Sequence, residues 1–465
     1  MGAAGPRSEV PAVASPAFTA TSRDETLSHP GQEKPVSDYV SDAGRLRDLA
    51  AAMRSGALSS EALVRRCLDR IDAVDGAVQA WVHVLADEAL AEARALDAES
   101  MRRGPLHGIP VAVKDVIDVR GLPTRAFSPS RADSPPATAD ATVVAHLRAA
   151  GAVVLGKVHT TEYAYFSPAP PTRNPWDPRR TPGGSSAGCG AAIASGTVPL
   201  ALGTQTAGSV NRPAAYTGTC AFKPSTLAVG GVGVVPLAPS FDTVGAFGAS
   251  GQDAAHLASG YAAAHLRLAD PKRPPPRILV LEDELISRLT RPGTAARSVA
   301  FADMLRGSGL RVSRAESAVS LETVLKTHRR VLLAEAGRTH ARLPKDLISP
   351  RLAADIQEGL AIPDQEYHAA LRDLARLRQA FWRGFGPDDL LLLPAAPDVA
   401  PMDGTTGDPS FVIPFTALGG PIATLRAGLE AESGMPVGVL LCAAPGADAR
   451  LAAFLLSELA TRLDL

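Results

Sequence analysis

The chain has 465 residues, of which 46% are hydrophobic and 20% are charged, and its formal net charge is −1 at pH 7. This composition allows a large buried core, in one large domain or several. Because both signs of charge are interspersed and nearly cancel, nothing favours nucleic acid or a membrane surface as a partner.

The four cysteines are scattered and form no CxxC pair. We therefore expect buried free thiols, and neither a disulfide framework nor a zinc site. The histidines lie singly along the chain, so we expect no metal site and no metal cofactor.

The first 41 residues are rich in Ala, Pro, Ser and Thr, and prolines at positions 6, 11 and 16 interrupt their only apolar stretch. We interpret residues 1–41 as a disordered leader and not as a signal peptide. No apolar run reaches the roughly 18 residues that a membrane span needs. We expect a soluble, cytoplasmic protein without membrane contact.

Three helices are predicted after the leader. The first begins near Asp42 and ends at Gly56, and Ser59 or Ser60 can cap the second. An Ala-rich third helix is predicted from about Asp87 to just before residue 102.

A strand–helix–strand unit follows. Residues 109–119 are mostly Val and Ile and predict a buried strand or strand pair that contains Lys114. Asp140 is predicted to cap a helix that Gly151 ends, and residues 152–155 predict a second strand. This order suggests parallel pairing with a right-handed crossover.

The remaining elements are predicted from apolar runs. A strand is expected at 277–281, a long amphipathic helix at about 365–385, short buried runs at 390–393, 422–425 and 437–441, and a last helix from about 448. Residues 42–465 are interpreted as one domain, in which 276–385 is a helical cap or insertion. The loops at 125–139 and 164–181 are long enough to be functional.

Small residues dominate the stretch from Pro182 to Pro213, which contains two serine-bearing clusters, residues 183–186 and 207–209. Small residues let backbone pack closely against backbone or a ligand. A short helix and a strand are predicted between the clusters. The hydroxyls in two adjacent turns resemble the floor of a catalytic site.

Two motif matches fail on their context. Residues 184–188 fit GxSxG, but the proline-rich residues 174–182 before them cannot form the buried strand that a nucleophile elbow requires. Residues 151–157 nearly fit a P-loop, but Val158 replaces the magnesium-binding Ser or Thr, and the intervening residues predict a strand.

A serine hydrolase needs a base, and a lysine serves only if it is neutral part of the time, which requires burial or nearby positive charge. Lys114 has the most apolar immediate setting of the seven lysines. The alternative is that Lys114 simply pairs with Asp115 at the end of a strand.

Lys114 in GPLHGIPVAVKD, Ser185 in PGGSSAG and Ser209 in LGTQTAGSVNRPAA occur in an order that resembles the amidase signature family. TRNPWDPRRTPGGSS and GMPVGVLL extend the resemblance, which runs from about residue 42 to the C-terminus. It implies an α/β fold, an α/β/α sandwich with a central mixed sheet covered by helices.

The resemblance also implies a Ser–cisSer–Lys triad that needs no cofactor. Carried over by position, Ser209 is the nucleophile, Ser185 is the proton bridge on a cis peptide bond after Gly184, and Lys114 is the base. Ser186 is expected to be a structural hydroxyl or a helix cap. The oxyanion hole is expected from the backbone N–H groups of four consecutive residues, Thr206, Ala207, Gly208 and Ser209.

The chain departs from the family pattern where many members have Asp and Arg and this sequence has Gln205 and Asn211. Our hypothesis is that a neutral amide–amide contact replaces an ion pair. Ala207 stands where many members have Gly. Tyr163, Tyr165 and Phe166 are candidates for an apolar wall of the substrate pocket, and ordinary packing beneath a loop is the alternative.

The expected activity is hydrolysis of the C–N bond of a small-molecule amide or carbamate (urethane) through a seryl acyl-enzyme. A glutaminase-type A subunit of an amidotransferase, an esterase of the same family and a catalytically dead scaffold are the alternatives. The sequence leaves the oligomeric state open, with a homodimer as one option.

Overall fold

The computed structural model describes residues 39–262, 266, 270 and 272–465. The predicted leader, apart from its last three residues, lies outside them. The strands are β1 (Trp81–Val84), β2 (Pro110–Lys114), β3 (Val153–Val158), β4 (Leu200–Gln205), β5 (Cys220–Lys223), β6 (Thr243–Gly248), β7 (Arg277–Glu282), β8 (Arg311–Glu316), β9 (Asp389–Pro394), β10 (Ile422–Leu429) and β11 (Pro436–Cys442).

The α-helices of the described part of the chain are α1 (Leu46–Arg54), α2 (Ser60–Val78), α3 (Ala86–Asp97), α4 (Thr142–Ala149), α5 (Ala187–Ala194), α6 (Asn211–Thr217), α7 (Gly251–Tyr261), α8 (Glu284–Leu289), α9 (Pro292–Gly307), α10 (Leu321–Thr339), α11 (Pro350–Leu360), α12 (Asp364–Trp382), α13 (Ile413–Leu418), α14 (Asp448–Leu455) and α15 (Glu458–Arg462). Short 3₁₀ helices span Pro129–Arg131, Glu162–Ala164 and Lys345–Leu347.

The eleven strands form one mixed sheet in the order β1-β3-β2-β4-β6-β5-β10-β11-β9-β7-β8. Strand β2 is parallel to β3 and to β4, while β4, β6, β5, β10, β11 and β9 pair antiparallel in turn. Strands β9, β7 and β8 are again parallel. This sheet, flanked by helices, confirms the predicted α/β class.

Local signals place the early elements correctly. The Ser59 side chain accepts a hydrogen bond from Ala62 N at 3.0 Å and so caps α2. Leu63, Cys67 and Ile71, the predicted apolar face of that helix, are all buried. The parallel pairing of β2 with β3 across α4 is also as predicted.

Two local predictions are wrong. Of the strand or strand pair predicted over 109–119, only β2 (Pro110–Lys114) forms, because the Lys114 carbonyl accepts hydrogen bonds from the backbone N–H groups of Val116 and Ile117 and turns the chain out of the sheet. Asp140 does not cap α4: its carboxylate accepts from Arg120 N at 2.8 Å and pairs with Arg148 at 3.1 Å.

Residues 276–385 contribute β7 and β8 to one edge of the sheet and helices α8–α12 beside them. The domain boundary at residue 42 and the interpretation of this segment as a cap or insertion stay predictions. All four cysteines are buried free thiols, as predicted. Among the described residues, no helix has both the length and the apolar character needed to cross a membrane.

Candidate active site

The site forms where two neighbouring parallel strands end. Strands β2 and β4 are adjacent and parallel, so their carboxyl ends, Lys114 and Gln205, lie at the same edge of the sheet. Lys114 Nζ donates to Ser185 Oγ at 2.7 Å and to Thr204 Oγ1 at 2.8 Å, with the Thr204 carbonyl at 3.3 Å. Two of the three predicted catalytic side chains are therefore in direct contact.

Asp115, the alternative partner of Lys114, is engaged elsewhere. Its carboxylate lies 2.9 Å from Lys157 Nζ, and both side chains are buried. Lys157 is the lysine of the rejected P-loop match, and it lies in β3, which continues to Val158 beyond the strand predicted at 152–155. Its ion pair with Asp115 leaves Lys114 free to face the serines.

Burial dominates the electrostatics of Lys114. Its side chain is fully excluded from solvent, and this desolvation lowers the pKa of Lys114 to about 7, although nearby Cys189 and Asp242 act in the opposite direction. A substantial fraction of Lys114 is therefore neutral at physiological pH. A neutral amine can accept a proton, which an ammonium cannot.

The peptide bond between Gly184 and Ser185 is cis, as the resemblance implied. The Gly184 carbonyl accepts a hydrogen bond from Arg212 at 2.7 Å. A Cβ on Gly184 would lie only 2.6 Å from the Thr406 Cγ2 methyl carbon, so no other residue fits here without displacing its neighbours. The hydroxyl of Ser185, the residue after this bond, lies 2.7 Å from Lys114 Nζ.

Ser186 has a different role from the serine before it. Its hydroxyl donates to the Thr204 carbonyl at 3.2 Å and accepts from Thr204 N at 3.3 Å. It precedes α5 but makes no side-chain cap hydrogen bond. The structural-hydroxyl interpretation fits these contacts, and the helix-cap interpretation is wrong.

The turn from Thr206 to Ser209 has an asymmetric hydrogen-bond pattern. The four carbonyls accept hydrogen bonds from His328 Nε2, Thr416 Oγ1, Arg212 N and Ser186 N, in that order. Within the described part of the chain, the four backbone N–H groups of this turn have no hydrogen-bond acceptor. A row of free N–H groups held from behind can bind an anionic oxygen.

Ser209 takes part in this arrangement through its backbone. Its side chain is largely buried, and its carbonyl accepts from Ser186 N at 3.3 Å. No hydrogen bond between the hydroxyls of Ser209 and Ser185 is present among the described residues. The structure thus brings Lys114 and Ser185 together directly and positions Ser209 beside them through the backbone.

Gln205 and Asn211 form the expected amide–amide contact. Gln205 Nε2 donates to Asn211 Oδ1 at 2.8 Å and to Thr416 Oγ1 at 2.9 Å. Gln205 Oε1 accepts from the backbone N–H groups of Val210 and Asn211 at 2.8 and 3.0 Å. This buried amide closes the turn that contains Ser209.

Replacing Gln205 with glutamate should lower the free energy of unfolding by about 2–4 kcal/mol, because a buried carboxylate would face acceptors without a cation. Chemical denaturation at pH 7 measures this change. Gln252→Glu is the matched control, since that amide makes a single 3.2 Å bond to Thr461 at a half-buried position near the start of α7. An equal effect of both substitutions would refute the proposed importance of the amide pair.

Sequence reasoning missed His328, which lies on α10 far along the chain. Its ring is buried against Phe241, with centroids 4.3 Å apart, and its Nε2–H donates to the Thr206 carbonyl at 2.9 Å. Burial lowers the pKa of His328 to about 4, so the ring is neutral at physiological pH. A histidine in a helix does not by itself indicate a contact with a residue as distant in the chain as Thr206, so the sequence contains no sign of this hydrogen bond.

A cavity of about 280 Å³ lies beside the site. Thr204 and Thr206 line one side of it, and the rest is mainly the apolar chain between residues 227 and 239. Sequence analysis did not identify this segment as part of the site. The residues predicted to form an apolar wall of the pocket are Tyr163, Tyr165 and Phe166.

Tyr163, Tyr165 and Phe166 do not line this cavity, although Ala164 between them does. The Tyr163 hydroxyl is 2.7 Å from Ser130 Oγ, and the Tyr165 hydroxyl donates to Asp355 at 2.6 Å. Phe166 packs edge-on against Tyr165. These satisfied, mostly buried contacts favour ordinary packing over a role as substrate wall.

No group of three or more His, Cys, Asp or Glu side chains among the described residues is arranged to hold a metal ion.

The chain is similar to proteins of one known family. The family model for amidases matches residues 62–452. The A subunit of the glutamyl-tRNA(Gln) amidotransferase of Acidothermus cellulolyticus is 46% identical over 218 residues, which cover 45% of this chain and 43% of that protein. The chain thus aligns with less than half the length of that relative.

Two longer matches agree with the family model. The corresponding protein of Moorella thermoacetica, which has the same name, is 33% identical over 471 residues, 89% of this chain and 95% of that protein. A crystal structure of an amidase matches with a TM-score of 0.81 and 30% identity over 90% of this chain and 100% of that one. The chain therefore belongs to the amidase family and is an enzyme that hydrolyses carbon–nitrogen bonds.

Proposed function

We propose that the enzyme hydrolyses the C–N bond of a small amide or carbamate through an acyl-enzyme on Ser209. The observation that carries this proposal is the 2.7 Å contact between Lys114 Nζ and Ser185 Oγ in a site whose burial lowers the lysine pKa to about 7. A base near neutrality beside a hydroxyl is what proton transfer to and from serine requires.

In the proposed acylation step, Ser209 Oγ attacks the substrate carbonyl carbon. Its proton passes to Ser185, whose own proton passes to Lys114. The oxyanion of the tetrahedral intermediate accepts hydrogen bonds from the backbone N–H groups of the turn that begins at Thr206. When the C–N bond breaks, the proton returns from Lys114 through Ser185 to the leaving nitrogen.

In the proposed deacylation step, water attacks the Ser209 ester with the same relay as general base. Ser209 regains its proton and the acid product leaves. A carbamate cleaved at its C–N bond would instead leave a carbonate diester on Ser209, which water converts to a carbonic acid monoester. Because the relay is used in both directions, its lysine must be able to hold and release a proton near the working pH.

A second candidate is the glutaminase component of an amidotransferase complex. The curated relatives from Acidothermus cellulolyticus and Moorella thermoacetica carry that name and favour it. Against it, this chain has Gln205 and Asn211 where many members of the family have a charged pair. Ester hydrolysis by the same residues is a third candidate function. The cytoplasmic location and the homodimer stay predictions.

Purified full-length protein should be tested on primary amides, aryl amides, aryl carbamates, aryl esters and glutamine. We expect turnover of neutral amides or carbamates without a partner protein. Mass spectrometry during turnover of an aryl carbamate should detect an added acyl mass whose fragment ions assign it to Ser209.

Ser209→Ala is the control, and it should lose both turnover and adduct. Undiminished turnover by this variant, or an adduct on another residue, would refute the mechanism. Hydrolysis of glutamine alone, strengthened by copurifying partners, would instead support the amidotransferase reading.

A further inference from the structure

The cavity beside the site is lined mainly by apolar residues, with Thr204, Thr206, Asp242 and Thr243 as its polar members. Its lining includes Leu227, Val229, Val234, Val235 and Val244. It meets the catalytic elements at two threonines: Thr204, which contacts Lys114 Nζ, and Thr206, which begins the turn of free N–H groups. A substrate whose carbonyl reached that turn would extend its neighbouring atoms toward this cavity.

One charged residue, Asp242, lines the cavity, and its carboxylate is already engaged. Asp242 Oδ1 accepts from Thr206 Oγ1, and Oδ2 accepts from the backbone N–H groups of Leu237 and Ala238 at 2.8 and 3.1 Å. No lysine or arginine belongs to the lining residues. A carboxylate entering here would lose its hydration, find no counter-cation and face Asp242.

The size of the cavity sets the scale of its occupant. A water-sized group occupies about 30 Å³, so about 280 Å³ accommodates a chain or ring of roughly nine such groups. The exposed side chain of Leu227 continues the apolar surface at this segment of the chain. An alkyl chain or a single aromatic ring fits both the volume and the polarity.

We propose that this cavity binds an uncharged, apolar group attached to the scissile amide or carbamate, and that it rejects a carboxylate at the same position. The inference deepens the proposed function and rests on it for the direction from which the substrate enters. It distinguishes the leading function from the glutaminase reading, because glutamine has an α-carboxylate and an α-ammonium beside its short chain.

Binding measurements on a variant that cannot form the acyl-enzyme test this inference independently of catalysis. Calorimetric titration of the full-length Ser209→Ala variant would compare two pairs of equal length. Hexanamide and adipic acid monoamide differ at the end of the acyl chain; N-hexylacetamide and N-acetyl-6-aminohexanoate differ at the end of the amine chain. In at least one pair we expect the neutral member to bind at least about 100-fold more tightly than the carboxylate.

Gly230 offers a variant that adds bulk at the exposed edge of the cavity. It lines the cavity, and a Cβ added there meets no atom within 4 Å. Gly230→Leu should weaken binding of the preferred neutral ligand at least tenfold. Gly307→Leu is the matched control, since Gly307 is an exposed glycine at the end of α9 with equally open space, and it should change binding less than twofold.

Val229 offers a gain of function. Val229→Lys should tighten binding of the carboxylate ligand at least tenfold, while Val229→Met, of similar length without charge, should not. Equal binding of neutral and charged members in both pairs, or a Gly230→Leu effect no larger than that of Gly307→Leu, would overturn the inference. If the neutral ligand bound more tightly but the wild-type enzyme hydrolysed no substrate, the proposed role of the cavity would be supported and only the proposed catalysis would be refuted.

Discussion

Lys114→Met should lower kcat/KM by about 10²–10⁴-fold, the range that general acid–base catalysis contributes. Methionine fills the space of the lysine stem but can neither accept the Ser185 proton nor return it. Steady-state hydrolysis of the best substrate from the panel measures the loss. Residual activity within tenfold of the wild type would exclude Lys114 as the base.

The wild-type pH profile should report the same group. Because burial lowers the pKa of Lys114 to about 7, kcat/KM should rise as pH increases from 6 to 8 with a midpoint near 7. Only the neutral amine in the free enzyme can accept the proton. A profile that is flat across this range would contradict the proposed titration.

Lys114 should also lower stability at acidic and neutral pH. Its folded-state pKa is below its ordinary value of 10.5, so between pH 7 and about 10.5 the unfolded chain binds more protons than the folded protein. Stability from this group therefore rises with pH in that window. Below pH 7 the buried ammonium costs on the order of 5 kcal/mol.

Lys114→Met should consequently be as stable as the wild type or more stable at pH 6, despite losing three polar contacts. The Thr204 carbonyl keeps its hydrogen bond from Ser186 Oγ. Urea denaturation at pH 6, 7.5 and 9 should show the advantage of the variant shrinking as pH rises. A constant difference would mean that Lys114 does not titrate in this window.

Ser185→Ala and Ser186→Ala should separate catalysis from stability at neighbouring positions. Ser185→Ala removes the hydroxyl that is proposed to pass the proton between Ser209 and Lys114, so we expect kcat to fall about 10²–10⁴-fold. Its free energy of unfolding should change little, because Lys114 Nζ keeps two contacts with Thr204. Activity assays and denaturation of both variants make the comparison.

Ser186→Ala should have the opposite profile. The loss of two buried contacts with the backbone of Thr204 should lower the free energy of unfolding by about 1–3 kcal/mol. Turnover by the remaining folded protein should stay within a few-fold of the wild type. If the Ser186 variant lost as much activity as the Ser185 variant at unchanged stability, the structural role assigned to Ser186 would be refuted.

The core of the site was predictable because its signals are local. Short motifs contain Lys114, Ser185 and the Ser209 turn, and the order of those motifs along the chain carries the family resemblance. Ser59 also indicates the start of a helix, because a serine hydroxyl can accept a hydrogen bond from a backbone N–H group of the first turn. The capping signal lies within a few residues of the structure it predicts, whereas the family resemblance relates motifs that are far apart in the chain, such as those of Lys114 and Ser185.

The rest depends on contacts between distant parts of the chain. The hydrogen bond from His328 to Thr206 joins positions 122 residues apart, and neither residue indicates the other. The apolar segment around Val229 resembles ordinary loop or core sequence until the fold places it beside Thr204. Asp140 looks like a helix cap, but Arg120 N and Arg148 compete successfully for its carboxylate.

The hydrogen bond between His328 and Thr206 has a consequence for how the enzyme can be altered. Helix α10 belongs to the segment 276–385 that we interpret as a cap or insertion, and its histidine is one of the supports behind the turn of free N–H groups. A chimera that replaced this helix would need to supply a neutral donor at the same point. Exchange of this region is thus constrained by the need to support this turn, and His328 is the residue to retain.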